Sequence, residues 1–333
     1  VIFMSTSSIR EVATVAGVST ATVSHVINET RFVADSTRQR VIDAMAELDY
    51  TPNFAAKTLR SQQTSTIGLV IPDISNHFFT SVVKGIEQHL NQKGYQLLVG
   101  NTDENLELEI GKLKTFQAQQ VSGIILASSA ESYQDIEPYI DQKTPAIYVD
   151  RIPDGTTGDY ISVENEKAVY DAVQLLIERG HGRIGMVTGI NTLSTTQERI
   201  KGYRKALVHS GISVDENLIF EGDSKFTGGY QAAEKLLTKP DITAIFVANN
   251  LMTIGVCTYL KEHKIAIPDD VAIIGFDDYE WAKITDPPLS VIKQPAEAMG
   301  EKAVEALLCK IKTDDPGNQS FRFPTELILR GSC

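Results

Sequence analysis

From Ser8 onward, apolar residues recur at the spacing of a single helix face: Ile9, Val12, Ala13 and Ala16 fall at i, i+3, i+4 and i+7. Gly17-Val18-Ser19 interrupts the pattern, and Ser19 is a natural N-cap for a second short helix over Thr20–Asn28. In that helix Val23, Val26 and Ile27 project one way, while Thr20, Ala21, Ser24, His25 and Asn28 project the other. A third helix over about 37–48 brings Val41, Ile42, Met45 and Leu48 to the same small core. Helix, tight glycine turn, helix is the pattern of a helix-turn-helix. Its second helix needs short side chains near its start so that the backbone can approach base edges in the major groove. The pattern alone fits an ordinary helical hairpin with a solvated face equally well.

Beyond Thr66 the period changes. Short β-rich runs at 67–71, 95–99, 123–126 and 146–149 alternate with amphipathic stretches at 78–93 and 103–119. A second series follows, with strands at 183–187, 218–221, 244–247 and 271–276 and helices at 197–210, 228–237 and 251–264. Such alternation predicts an α/β protein with parallel sheets covered on both faces, here two similar doubly wound lobes in a periplasmic-binding-protein-like arrangement. A terminal helix near 295–311 and strands near 321–329 cross back. The expected N-lobe is therefore about 66–162 plus 293–320, and the C-lobe about 163–292 plus 321–333. Residues 53–61 read as a helix of about two turns, too short to be stable alone. The organisation predicted is a headpiece at 5–50, a hinge helix and linker at 51–65, and a bilobed domain at 66–333.

Composition narrows the function. No run of about 18 apolar residues occurs, and Val1-Ile2-Phe3-Met4 is too short for a signal core, which predicts a soluble cytoplasmic protein with no membrane partner. Cys257, Cys309 and Cys333 are far apart and match neither a disulfide framework nor a zinc site. The net charge of −12 argues against nucleic acid until its distribution is considered. Residues 1–63 hold six basic and six acidic side chains, so all the excess acid lies beyond them. No GxSxG elbow, P-loop or HExxH is present, and the histidines are scattered, so no catalytic residue, metal site or cofactor is predicted. Gly180, Gly182 and Gly185 match GxGxxG, but they end a helix and lead into a strand, the reverse of a phosphate-binding turn.

Ligands of doubly wound sheets bind beyond the carboxyl ends of the strands. The segment from Asp73 to Phe79 follows the first strand and contains Asn76, Phe78 and Phe79; Asp150 and Arg151 follow the fourth. Asn249 and Asp277 follow strands of the second lobe, Arg199 opens a helix after the loop beyond Val187, and Gln294 sits on the return crossover. Carboxylates, amides and guanidinium forks suit sugar hydroxyls, which both donate and accept, and the phenylalanines suit an apolar ring face.

Ser8-Ile9-Arg10-Glu11-Val12-Ala13 together with the stretch from Ala16 to Asn28 (AGVSTATVSHVIN) resembles the LacI/GalR family signature, closest in wording to its ribose and purine repressor branch. The resemblance runs the length of the chain and implies a DNA-binding transcriptional repressor. By that likeness Thr20, Ala21 and His25 read bases, Ser19, Ser24 and Asn28 contact phosphates, and Arg31 lies near the DNA. It likewise makes Asn53, Ala56 and Leu59 DNA contacts of a hinge helix, with Leu59 wedged into the minor groove. It implies a homodimer on a palindromic operator. It also matches Asn76, Phe78, Phe79, Asp150, Arg151, Arg199, Asn249, Asp277 and Gln294 to the sugar contacts of ribose-binding proteins. His77, Asn250 and Ser224 depart from the usual proline, aspartate and aromatic. A pentose such as ribose is the leading effector, ahead of other monosaccharides, sugar acids and purines. The alternatives are a family regulator that uses a corepressor or protein partner, and a sugar-binding transport protein.

Overall fold

The structure is a computed structural model and describes residues 8–28, 31–50, 64–140, 143–313 and 317–333. It divides into two compact units between Thr64 and Ser65.

The first unit contains α1 (Ile9–Ala16), α2 (Thr20–Asn28) and α3 (Asp35–Glu47). Ser8 caps α1 reciprocally: its hydroxyl accepts from the Glu11 N–H, and the Glu11 carboxylate accepts from the Ser8 N–H. Gly17 ends the helix at φ +64°, a left-handed conformation that a side chain would strain. Val12, Ala13, Ala16, Val23, Val26, Val41 and Ala44 form the buried core. Ile42, expected in that core, is 46% exposed. At about 100° per residue the inner face of α3 runs through Val41, Ala44, Met45 and Leu48, and Ile42 falls one step off it.

The second unit holds two six-stranded sheets. The first has the order β11 (Phe321–Phe323), β5 (Asp159–Val163), β4 (Ala146–Val149), β3 (Gly123–Leu126), β1 (Thr66–Ile71), β2 (Gln96–Asn101), parallel throughout. The second has the order β12 (Glu326–Ile328), β10 (Ser290–Lys293), β9 (Ala272–Phe276), β8 (Ala244–Val247), β6 (Ile184–Thr188), β7 (Ile219–Glu221), with β12 antiparallel at its edge. Nearly every residue of β1, β3, β6, β8 and β9 is buried, as strands covered on both faces require. The covering helices are α4 (His77–Gln92), α5 (Leu106–Ala118), α6 (Asn165–Glu178), α7 (Ser194–His209), α8 (Phe226–Leu236), α9 (Asn250–Glu262), the short α10 (Glu280–Ile284) and α11 (Ala296–Lys312).

The expected lobe boundary needs correction. Residues 321–323 were assigned to the C-lobe, yet Phe321–Phe323 pairs with β5 in the first sheet, so the last crossover falls at Pro324-Thr325. The apolar pattern does not mark β5, where the buried Ser162 interrupts it. The glycines at 180, 182 and 185 lie at the end of α6 and the start of β6, so no helix N-terminus faces them. Among the described residues no helix is long and apolar enough to cross a membrane.

Candidate functional site

In each sheet the strand order reverses beside the central strand, at β1 in the first and β6 in the second. The carboxyl ends there open onto one cavity of about 40 Å³ between the lobes. All nine residues expected to contact the effector line it: Asn76, Phe78, Phe79, Asp150, Arg151, Arg199, Asn249, Asp277 and Gln294.

From the first lobe, Asn76 caps α4 by accepting from the Phe78 N–H at 3.0 Å, which fixes Phe78 and Phe79 at the cavity wall. The two rings meet edge to face, and the Arg151 guanidinium lies 5.5 Å above the Phe79 centroid. Arg151 donates through both terminal nitrogens to the Glu104 carboxylate, at 2.5 and 2.8 Å. Burial works against its charge, but Glu104 outweighs that and holds its pKa above the usual value. Asp150 is 5% exposed and sits at φ +65°. Burial pushes its carboxyl up to about 6, against the attraction of Arg199 and Arg151.

From the second lobe, Arg199 is held from three sides. Its Nε donates to the Asn165 Oδ1 at 2.9 Å and its Nη1 to the Ala248 carbonyl at 2.6 Å, while the guanidinium stacks 3.8 Å from the Phe276 ring centroid. The helix pair α6 and α7 sets this geometry. They cross at Gly202, where a Cβ would lie 2.3 Å from the Glu166 carbonyl oxygen. Asn249 caps α9, accepting from the Met252 N–H and donating to the Ser224 carbonyl. Asp277, at φ +74°, accepts from the Gln294 amide at 2.7 Å and from the Asn250 amide at 2.9 Å. Burial raises its pKa, against those hydrogen bonds and Arg199.

Gly189, Leu193, Thr195, Thr196 and Ala248 also line the cavity and were not anticipated; neither were the outer partners Glu104 and Asn165. Ser224 stands at the wall in place of the usual aromatic. Phe226 does not replace it: the ring is 42% exposed and packs near Tyr230, away from the cavity. Several buried polar atoms in and beside the cavity have no hydrogen-bond partner: Asp150 Oδ1, Arg151 Nε, Asn250 Oδ1 and Gln294 Oε1. Mixed donors and acceptors in a small enclosed space fit a neutral polyhydroxy molecule.

In the first unit, the Ser19 hydroxyl accepts from the Thr22 N–H at 3.1 Å and starts α2. Thr20 and Ala21 are exposed, Ser24 and His25 are half-buried, and Val23 and Val26 anchor the inner face. Asn28 ends the helix and Arg31 is exposed beyond it. Asn53, Ala56 and Leu59 lie outside the described residues. Among the described residues no cluster of His, Cys, Asp or Glu is placed to hold a metal ion.

A helix-turn-helix unit on the same chain as a two-lobed ligand cleft defines the class: a DNA-binding regulator with a sensor domain. Residues 8–53 match the family described as bacterial regulatory proteins, lacI family. Residues 64–330 match periplasmic binding proteins and sugar binding domain of LacI family. The chain belongs to the LacI family of bacterial transcriptional regulators. It is 34% identical over 329 residues to the HTH-type transcriptional repressor PurR of Photobacterium profundum, which covers 98% of each chain. Its fold is similar to the lac repressor dimer bound to operator and the anti-inducer ONPF, with TM-score 0.87, 29% identity and coverage of 98% and 99% of the two chains. It is also similar to a LacI family transcriptional regulator from Enterococcus faecium with bound ribose, with TM-score 0.74, 28% identity and coverage of 80% and 98%.

Proposed function

We propose that this protein is a transcriptional repressor that binds a palindromic operator as a homodimer and is released from it by a small neutral sugar, a pentose such as ribose in first place. The observation that carries the sugar reading is the cavity. Two carboxylates, two guanidinium groups and three amides converge on it with polar atoms unpartnered, and aromatic rings lie on one side only. In this reading Asp150, Arg151, Arg199, Asn249, Asp277 and Gln294 bind hydroxyls, Asn76 orients the loop, and Phe78 and Phe79 cover the apolar ring face. Thr20, Ala21 and His25 read bases, Ser19, Ser24, Asn28 and Arg31 hold the backbone, and Asn53, Ala56 and Leu59 act at the operator centre. The sugar bridges the lobes and its differential affinity for the closed form shifts the DNA-competent population.

The name of the relative at 34% identity favours a second reading, a purine acting as corepressor. The cleft argues against it, because a purine presents two flat faces and Ser224 leaves one of them uncovered. A thermal-shift screen against pentoses, hexoses, sugar acids, sugar phosphates and purines decides between them. A ligand at about 100 times its Kd adds roughly 2.7 kcal/mol. A shift with ribose or a near relative that is lost in Arg199→Ala, and release of operator DNA by the same compound, is the expected result. A shift with a purine and tighter operator binding would replace the sugar reading.

A further inference from the structure

One buried side chain that belongs to neither of the charged sets described above hydrogen-bonds across the cleft. Asn250, the first residue of α9, is fully buried. Its Nδ2 donates across the lobes to the Asn76 Oδ1 at 2.8 Å and within its own lobe to the Asp277 Oδ2 at 2.9 Å. Asn76 Oδ1 is thereby doubly used, since it also accepts from the Phe78 N–H at 3.0 Å. Other bonds cross the cleft at its margins. Lys225 reaches Asp103 at 3.2 Å with both side chains exposed, and the Ile152 N–H donates to the Ser194 hydroxyl at 2.9 Å. The first is solvent-screened and contributes little.

We infer that Asn250 is the clasp of the cleft: a neutral donor whose two amide hydrogens hold Asn76 and Asp277 together, so that the closed arrangement is reached before any ligand enters. Both hydrogens are required, because both partners are acceptors. A carboxylate could not supply them, and it would add negative charge to a neighbourhood that is already acidic. Asp277 faces Asp150 across the cavity and Tyr279 on its own loop, and Arg199 is the cation they share. Arg151 is committed to Glu104. His77, on α4, stacks against Tyr279 with ring centroids 5.3 Å apart and faces the outer side of the same loop.

An isosteric carboxylate at position 250 would place acceptor against acceptor on both sides. Closure would then need a proton shared between residue 250 and Asp277, as adjacent carboxylates do. Asn250→Asp therefore makes closure proton-linked, whereas Asn250→Ala removes the clasp without adding a charge. The inference concerns the cleft and holds whichever small molecule occupies it. It is tested without ligand, so its failure and the failure of the sugar reading are separate results.

The experiment places spin labels at Glu107 and Thr227, exposed residues on opposite lobes, in full-length protein whose cysteines are replaced by serine. Electron–electron distance distributions are recorded for wild type and both variants at pH 7.5 and pH 5. Circular dichroism melts verify that each variant folds. The expected wild-type distribution is dominated by one short distance at both pH values. Asn250→Asp shifts to a longer distance at pH 7.5 and returns toward the short one at pH 5. Asn250→Ala is lengthened equally at both. A wild-type distribution in Asn250→Ala at either pH, or in Asn250→Asp at pH 7.5, overturns the clasp; equal lengthening of the two variants at both pH values keeps the clasp and removes the shared proton.

Discussion

Asp150→Asn is expected to make the protein more stable than wild type at pH 7.5 while impairing its cleft. In the folded chain the Asp150 carboxyl titrates near 6 because burial disfavours its charge more than Arg199 and Arg151 favour it, against an ordinary value of 3.8. A folded-state pKa above the unfolded one contributes stability that is fully present below about pH 3.8 and is lost as pH rises through 6. The interval corresponds to about 3 kcal/mol that the ionised carboxylate withdraws from the folded state at neutral pH. Asparagine is the neutral isostere of the protonated acid. It also tolerates the left-handed backbone at this position, φ +65°, so the substitution adds no strain. The attraction of Arg199 and Arg151 is already contained in that titration, so the expected gain is of the same order, about 1–3 kcal/mol.

The assay is urea denaturation of wild type and variant between pH 4 and pH 7.5, followed by far-ultraviolet circular dichroism. The midpoint of the variant should lie above that of wild type at pH 7.5, and the two should converge near pH 4. An equal or lower midpoint at pH 7.5 would refute the reasoning, as would an advantage that persists undiminished at pH 4. In the proposed function the same substitution removes a carboxylate that accepts from a sugar hydroxyl, so affinity for the effector should fall as stability rises, a trade common at binding sites.

Two further outcomes follow from other parts of the chain. Arg322 on β11 forks onto Glu198 at 2.7 and 3.0 Å, and Glu198 in turn accepts from the Asn165 amide that orients Arg199. Glu198→Gln should cost at most about 1 kcal/mol, since both partners are partly exposed, and should appear as faster amide exchange in Phe321–Phe323. Gly17→Ala places a Cβ at φ +64°, a cost of roughly 1 kcal/mol, and should reduce exchange protection of the α1 amides about fivefold while leaving the second unit unchanged.

Much of this fold was legible because its signals are local. The capping pattern from Ser8 to Glu11, the Gly17 break and the alternation of apolar runs with amphipathic stretches each lie within about a dozen residues. The nine cavity residues were legible for two reasons: strand ends in a doubly wound sheet face the cleft, which points to the loops that line it, and the resemblance to ribose-binding proteins implies the individual residues, Arg199 inside α7 among them. What escaped depended on contacts between distant segments. Glu104 matters only because the loop after β2 meets the loop after β4, and Asn165 only because α6 crosses α7 beside Arg199. A three-residue strand such as β11 carries no mark of the sheet it will join. The buried Ser162 hid β5 by donating to the Asp150 carbonyl from inside an apolar strand.

Six of the ten non-glycine residues with left-handed backbone among the described residues lie in loops after strands. Asp103 and Glu104 after β2, Asp150 after β4, Asp223 and Ser224 after β7 and Asp277 after β9 all hold left-handed backbone without being glycine. Each such residue carries strain on the order of 1 kcal/mol or more, and glycine would relieve it at every one. Glycine would also delete the side chain, and with it the cavity carboxylates of Asp150 and Asp277 and the ion pairs that Asp103 and Glu104 make. Backbone strain, the raised titration of Asp150 and several unpartnered polar atoms thus meet at the carboxyl ends of both sheets. A cleft built in this way holds polar atoms at a cost in stability, and a ligand that satisfies those atoms recovers part of that cost on binding.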